Sequence, residues 1–530
     1  MISVSSDFKS ALEANHRFWK MKVEIERNSD GAVPIDISDR VISVSISHDF
    51  SRRNASLEIE IENNDYSLSP LNRESATNLV GGVYDPLLDS RHIIRVYEGL
   101  LTDSGYEYVQ RFNGVLGDDL DASAFPSVIR MNCRDYSKLF QDTYIYQSKT
   151  YSGVYTANNG DDNLTIVEYV MQDLINQFCP DYGINIEVLN PTQFVIGQPD
   201  KPYTAKNTSL WDALQLLADS SSHELRFNEQ GRLILRKIER DFSENNPVIE
   251  LDESSLIRDS VSLSDADVRN HIMVRVQGLD PVEKKNEDSI RKYGRRYMEV
   301  QRSISNVLTT QEQAHELAEN FLVDLSWVNP IDEVEIPLYP ILQVGDIVSI
   351  KNDSIGTNPM YDKFKVIRVQ DSFNKSLKRT SLYLQGHTNY TPEESIAPTA
   401  PTDLSNEIIT REIQNYIGSG WSGNSKRTHF AMLKWEPPTK DEDGNSLISD
   451  FGGYTIFRKK GNASQTNHDW LPIASVKSYI KALNLKVNYF YDYSVSSGEY
   501  TYKIRTMNRL GKVSAESDVM TVSVPNNSYT

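Results

Sequence analysis

Apolar residues recur at every second position early in the chain: Met21, Val23 and Ile25, then Val44 and Ile46 beside Val41 and Ile42, then Leu57, Ile59 and Ile61. Only a β-strand turns successive side chains to opposite faces, so this spacing predicts strands with one wet face. Residues 93–97, 111–116 and 127–133 continue the pattern after a short helical start at 8–14. Turn chemistry punctuates them: Asn63-Asn64-Asp65, Ser69-Pro70-Leu71-Asn72 and an acidic turn, Gly117-Asp118-Asp119-Leu120-Asp121. Many short strands joined by turns predict an antiparallel barrel or sandwich up to about residue 155.

The period then changes, after a Gly/Asn/Asp-rich connector at 151–163. Val167, Val170, Met171, Leu174, Ile175 and Phe178 follow helical spacing, with Thr165 and Glu168 as a capping box and Pro180 as the stop. A second helix is expected at 209–218, carrying Leu210, Trp211, Leu214, Leu217 and Ala218 on one stripe. It leads into a hairpin around Asn228-Glu229-Gln230-Gly231. From about 251 strands return at 272–276, 297–300, 344–350, 364–369 and 381–385, with a loop at 352–358. One helix intervenes, where Ala314, Leu317, Ala318, Phe321, Leu322 and Leu325 follow a capping box of Thr309 and Glu312. Ile396-Ala397-Pro398-Thr399-Ala400-Pro401 is a stiff hinge, and the chain beyond it is β-rich.

Lys and Arg total 55 against 74 Asp and Glu, a formal charge of −19 over 530 residues. That balance argues against general binding to nucleic acid or anionic membrane, which draws on dense positive charge. The first twenty residues hold no apolar h-region, and no stretch approaches the ~18 apolar residues of a membrane span, so a soluble, unprocessed chain is expected. Cys133 and Cys179 stand apart with no Cys/His cluster, which predicts two buried thiols rather than a disulfide or a zinc site.

Searches for chemistry give bland readings. His315-Glu316-Leu317-Ala318-Glu319 opens like a zincin helix, but Glu319 stands where a second imidazole is needed on the same face; a surface helix is expected. Gly418-Ser419-Gly420-Trp421-Ser422-Gly423 lacks the GxSxG frame and is expected to be a flexible loop. Asp118, Asp119 and Asp121 are the residue type of a glycosidase pair, yet a turn collects Asp of its own accord. Asp441-Glu442-Asp443-Gly444-Asn445 misses the EF-hand pattern and is expected to be a turn. Gly511-Lys512 has no Walker A frame around it. Arg291-Lys292-Tyr293-Gly294-Arg295-Arg296-Tyr297 combines cations with aromatics as nucleic-acid contacts do; an exposed hairpin or a subunit contact uses the same residues. No residue is assigned as catalytic, cofactor-binding or metal-binding.

Two resemblances add to this reading. The segment 398–524 resembles a fibronectin type III module: Pro398, Pro401 and Leu404 at its start, Leu433-Lys434-Trp435-Glu436-Pro437-Pro438 as strand B with its core Trp, Asp443-Gly444 and Gly453-Tyr454-Thr455-Ile456-Phe457-Arg458 as the next loop and strand C. Tyr500, Tyr502, Ile504, Thr506 and Asn508, then Gly511 and Ser514, are similar to strand F and its turn. Alternation there buries one face around Trp435, and Tyr500 is placed for a tyrosine corner. The stretch 413–427 is longer than such modules carry.

The first 395 residues resemble bacteriophage tail or baseplate hub proteins. The resemblance rests on Phe112-Asn113-Gly114-Val115, Cys133-Arg134-Asp135-Tyr136 running on to Asp142, Ser209-Leu210-Trp211-Asp212-Ala213-Leu214, Asn228-Glu229-Gln230-Gly231-Arg232-Leu233, Ser289-Ile290 with Tyr293-Gly294, and Val344-Gly345-Asp346-Ile347-Val348. The expected whole is mainly β with α+β parts: two small β-barrel domains (1–155, and 251–395 with one helix) flanking an α/β domain (156–250), followed by an Ig-like fibronectin type III β-sandwich (396–530). Many proteins of that family carry a peptidase or lysozyme-like domain, but this chain ends in the fibronectin-like module, so a non-enzymatic structural virion protein without a cofactor is expected. It would be a homotrimeric hub closing the distal end of the tail tube and linking it to the tip or spike, with roles in host attachment and DNA passage through the lumen. Implied partners are tail tube and distal tail proteins, the tape measure protein and a tip, spike or fibre protein, with host-surface glycans a further candidate and no membrane anchor. Such a chain would be assembled in the bacterial host cytoplasm and reside in the virion. A tail-associated cell-wall hydrolase and a receptor-binding adhesin are the alternatives.

Overall fold

The structure, a computed structural model, describes all residues except 15, 29–32, 51–52, 91, 125–126, 152–165, 198–201, 243–244, 253–254, 263, 306, 329–330, 352–362, 387–395, 418–419, 448–450, 462–469, 478, 481–484, 487, 527 and 530. Helix α1 (Ser6–Glu13) starts where the Ser5 hydroxyl accepts the Phe8 amide at 3.0 Å, and it buries Phe8 and Leu12. The alternating segments become strands that bury the same alternate residues. β1 (Trp19–Glu26) buries Met21, Val23 and Ile25; after β2 (Ile35–Asp36), β3 (Val41–Asp49) buries Val44 and Ile46, and β4 (Asn54–Glu62) buries Leu57, Ile59 and Ile61. With β5 (Ile93–Thr102), β6 (Gly105–Ala124) and β7 (Ser127–Asp135) they run in the order β3-β4-β7-β6-β5-β1-β2.

The helical-period segments form α2 (Val167–Phe178) and α3 (Leu210–Ser220), which pack with the sheet of β8 (Ile186–Val188), β9 (His223–Phe227) and β10 (Leu233–Lys237) in one core. Thr165 of the expected capping box lies outside the described residues, and the Glu168 carboxylate instead accepts the Thr192 hydroxyl at 2.7 Å. Ser209 caps α3 by accepting from the Asp212 amide at 3.0 Å.

Next come β11 (Ile249–Asp252), β12 (Arg258–Ser262), β13 (His271–Val274), β14 (Val282–Lys285), α4 (Glu287–Tyr293), β15 (Tyr297–Glu299), α5 (Gln311–Leu325), β16 (Ile331–Pro337), β17 (Ile347–Lys351), β18 (Lys363–Asn374) and β19 (Lys378–Gly386). The capping box of α5 falls one residue later than expected. Thr310 is the cap and Gln313 returns the bond, because the Gln313 side-chain oxygen reaches the Thr310 amide at 3.0 Å.

The last part holds β20 (Thr402–Ile417), β21 (Gly420–Glu436), β22 (Phe451–Lys460), β23 (Leu471–Lys477), β24 (Tyr489–Asp492), β25 (Gly498–Asn508), β26 (Met520–Val524) and β27 (Ser528–Tyr529). Its sheets, β20-β21-β24 with β27 on β21, and β23-β22-β25-β26, share a core around Trp435, Tyr454, Tyr500 and Tyr502. The lengthened stretch at 413–427 belongs to the β20–β21 hairpin, which stays paired out to Ile417 and Gly420.

The chain is mainly β, but none of its sheets closes into a barrel among the described residues, unlike the two barrels expected from the sequence. The physical reason lies at β3. The edge that would have to meet β2 pairs instead with β18, so 13 strands form one open sheet whose main path is β12-β16-β19-β18-β3-β4-β7-β6-β5-β1-β2. The acidic turn is also corrected. Residues 117–121 lie inside β6, where the register against β7 jumps from Val115↔Arg134 to Asp119↔Asn132 and extra residues bulge out.

Candidate functional site

The place where these units meet holds a cluster of buried polar side chains. β18 belongs to both β units. Its first residues pair with β17, then Arg368 to Asn374 pair with Asp49 to Ser43 of β3, the exchange falling at a bulge between Val366 and Arg368. Arg368 opposes Asp49 directly and bonds its Oδ2 through Nε at 2.8 Å, while its guanidinium lies 4.4 Å from the centre of the Tyr383 ring. Cross-strand pairs of this kind fix register.

Behind the seam, Arg111 of β6 is fully buried. Its Nε and Nη2 donate to one oxygen of Asp371 at 2.9 and 2.6 Å, and Nη1 donates to the Leu342 carbonyl at 2.9 Å. The other Asp371 oxygen accepts the Thr380 hydroxyl at 2.6 Å. His48 Nε2 donates to the Arg111 carbonyl at 2.7 Å, and burial lowers its pKa. Glu98 is equally buried with neither oxygen bonded; burial first, then the Asp371 charge, pushes its pKa well up. An uncharged acid beside a closed ion pair follows.

The α/β unit reaches the same point. Arg226 and Arg236 both donate to the Val344 carbonyl, at 3.4 and 3.2 Å, and share the buried Glu224. Gly345 sits at φ +91°, a backbone conformation that L side chains rarely adopt, with the Arg236 guanidinium packed against its Cα. Gln343 donates to Glu229 at 2.6 Å; burial opposes ionising Glu229, but neighbouring positive charge outweighs it and keeps the acid below the usual carboxylate range. Asn113 donates to the Gln230 carbonyl at 2.8 Å and accepts from the Tyr136 hydroxyl at 3.1 Å, over Gly231. Three motifs separated by more than a hundred residues each, around Asn113, Gly231 and Gly345, therefore form one junction.

Sequence reasoning missed Arg111, Asp371 and Glu98. The available signal was a charge in an inward slot: Asp371 stands between Val369, in the second β core, and Phe373, which packs on the first, on alternate positions of β18.

The singled-out motifs fall elsewhere. His315 is buried on α5 rather than exposed, facing Gly511, and its Nδ1 has no partner; burial, then Lys284, lower its pKa to about 4. Gly418 and Ser419 lie outside the described residues, and Gly420 begins β21 rather than a loop. Asp119 and Asp121 are exposed on β6, opposite Asn132 and Arg130. Asp441 does close a turn, accepting the Asn445 amide at 2.7 Å. The basic run is the end of α4 and the start of β15 rather than a hairpin, with Lys292 5.5 Å from the Trp327 ring and Arg296 paired with Asp265 at 2.7 Å. Cys133 and Cys179 are buried thiols, and burial pushes Cys133 up to about 12. Among the described residues no group of three or more His, Cys, Asp or Glu is placed to hold a metal, and no helix is long and apolar enough to cross a membrane.

The last part of the chain docks on the β13-β14-α5 face through polar contacts. Lys284 donates to the Leu510 carbonyl at 2.6 Å, the Gln311 amide to Ser475 at 2.8 Å, Lys477 to Asp280 at 2.6 Å, and Arg505 meets Glu312 at 3.3 Å.

Neither a protein family nor a curated relative matches the sequence. Among solved structures, the chain is similar to a tail protein from Neisseria meningitidis, at 14% identity and TM-score 0.47 over 69% of this chain and 96% of that one. It is similar to the 43 kDa tail protein of prophage MuSo2 from Shewanella oneidensis, at 10% identity and TM-score 0.43 over 69% and 96%. It is also similar to a chain of the Francisella PdpA-VgrG complex, at 9% identity and TM-score 0.42 over 99% and 81%.

Proposed function

We propose that this chain is a non-enzymatic structural component of a phage tail or related particle: a hub that closes the distal end of the tail tube, works as a trimer and links the tube to the tip. The observation that carries the reading is the seam. Two β units are welded through β3 and β18 into one open sheet around a solvent-free Arg111–Asp371 pair. The outer edge of β12 at one end and of β2 at the other have no partner strand among the described residues. A rigid double unit with unlike free ends suits head-to-tail contacts that close a ring, and three copies, with two β units each, would present six β units around one axis. Buried polar groups here join units, which supports a mechanical role.

On this reading the chain divides at 1–155, 156–250, 251–395 and 396–530. The last division is proposed to be a fibronectin type III module, supported by its two facing four-strand sheets, by buried Trp435, and by the Tyr500 hydroxyl, which accepts the Ser496 amide at 3.2 Å as a tyrosine corner does. Its role is attachment, to another tip protein or to the host surface, while DNA passes through the lumen of the ring. Light scattering coupled to size exclusion across a concentration series tests the assembly. A three-chain particle is expected, and a monomer persisting at high concentration overturns the hub.

A further inference from the structure

The sheet β23-β22-β25-β26 of the last module turns a cationic side toward α5. Tyr454, Ile456, Tyr502 and Ile504 pack in the module's core, so their strand neighbours Phe457, Lys459, Lys503 and Arg505 stand on the opposite side, where Lys477 of β23 joins them. The cations lie against aromatic rings. Lys503 is 4.4 Å from the Trp470 ring and 5.6 Å from Phe457, Arg505 is 5.0 Å from Phe457, and Lys459 is 5.3 Å from Trp470. Glu516 is shared by Lys503 at 2.6 Å and Arg505 at 2.9 Å, and Glu499 stands at the far end of β25. Cations gathered on one side of a small sheet depart from a chain whose formal charge is −19.

The body of the chain answers that side with carboxylates. Glu312, in the first turn of α5, meets Arg505 at 3.3 Å, and Asp280, just before β14, accepts from Lys477 at 2.6 Å. Neither pair is sealed from water: the side chains are 29% and 27% exposed in the first and 46% and 61% in the second. Val195 packs in the module's core cluster, so an apolar contact holds the module as well. Ion pairs this wet are weak and screened by salt, so a carboxylate from elsewhere that reaches the same cations exchanges for Glu312 and Asp280. The chemistry already seated on the face names the class of partner. It is a carboxylate carried on polypeptide, which an arginine fork and a lysine accept as they accept Glu312 and Asp280.

We propose that this docking is autoinhibitory: the module's cationic face rests on the chain's own acids, and an acidic polypeptide segment of a partner displaces them, binds the face and releases the module. The competition rests on the attachment role above only for where the partner lies. The test is titration calorimetry of the full chain with poly-L-glutamate at neutral pH and low salt, with oligo-dT as the phosphate probe, beside hydrogen exchange of the first-turn amides of α5. Two double variants loosen the docking from opposite sides, and faster exchange in both reports it. Asp280→Asn/Glu312→Gln leaves the cationic face intact and binds poly-L-glutamate about fivefold or more tighter than the parent, because the competent state no longer has to be released first. Lys477→Gln/Arg505→Gln binds it about tenfold weaker, although its module is equally free. Asp119→Asn/Asp121→Asn removes the same charge from an exposed strand elsewhere and leaves binding at the parent value. An unchanged unfolding midpoint shows that each variant is folded. Equal binding by the parent and Asp280→Asn/Glu312→Gln, undiminished binding by Lys477→Gln/Arg505→Gln, or tighter binding of oligo-dT than of poly-L-glutamate overturns the proposal. A trimer that shows none of these effects removes the autoinhibition alone; a monomer that shows them removes the ring alone.

Discussion

Arg111 and Asp371, 260 residues apart in the chain, form a two-pronged ion pair from which solvent is excluded on both sides, 0% and 1% exposed. Such a pair adds little net stability, because desolvating two charges offsets their attraction, but removing one partner strands the other. Asp371→Ala therefore leaves a buried guanidinium and is expected to cost about 3–5 kcal/mol, separating the two β units before either melts. Arg111→Met combined with Asp371→Leu restores most of that loss. Hydrogen exchange of the β3 and β18 amides checks both, and an alanine variant with an intact seam would contradict the role given to this pair.

Glu98 gives the seam a pH dependence of known sign. Its pKa is raised in the folded chain, so the folded state holds a proton that the unfolded state releases above the ordinary Glu value of 4.5. Stability is then greatest below 4.5 and falls as pH rises toward the raised value. Glu98→Gln keeps the shape and removes the titration. Its denaturation midpoint is expected to match the parent at low pH and to exceed it increasingly as pH climbs, whereas parallel midpoints at every pH would show that Glu98 is already ionised.

Local pattern carried much of this architecture. Val23, Ile46 and Ile59 are inward because alternate positions must be, and Leu214 and Ala318 because helical spacing puts them on one stripe. The junction was half legible: Asn113, Gly231 and Gly345 stand in motifs noticed separately, but nothing in a linear chain says that they meet. Barrel closure was misread because a strand's pattern fixes its faces and not its edge partner, and β3 could take either β2 or β18 without moving one side chain. The acidic stretch at 117–121 was misread because Asp signals a turn by composition, whereas a bulge is a matter of register between two strands. Asp371 reaches Arg111 only after both sheets exist, so its inward slot was the sole local trace.

The contact between Gly511 and His315 governs how the last module sits on α5. Gly511 has φ +92°, and a Cβ there would lie 2.8 Å from the imidazole. Gly511→Ala is expected to weaken the docking by about 1–3 kcal/mol through strain and overlap together. His315 adds a pH term: its pKa falls from 6.5 to about 4 on folding, so docking is intact above 6.5 and is progressively lost between 6.5 and about 4. Limited proteolysis of the 396–401 hinge across that range reads both effects. A cleavage rate that ignores pH, or that is the same in Gly511→Ala, would refute the contact's importance.

Gly117 makes the acidic bulge possible. The β6 backbone comes so close to β7 that a Cβ on Gly117 would fall 1.5 Å from the Asn132 carbonyl oxygen, and no side-chain rotation relieves an overlap with backbone. The neighbouring Cys133 is buried and holds its proton, so the strand pair cannot shift inward without compressing the first core. Gly117→Ala should thus cost about 3 kcal/mol or more, by the same route as overpacking a core. The loss should appear first in the amides from Val128 to Arg134, whose ladder to β4 and β6 holds the middle of the unit. Asp119→Ala, on an exposed position of the same bulge, changes stability by less than about 0.5 kcal/mol. If instead Asp119→Ala destabilised the chain and Gly117→Ala did not, the bulge would be held by its acids rather than by the close approach of two backbones.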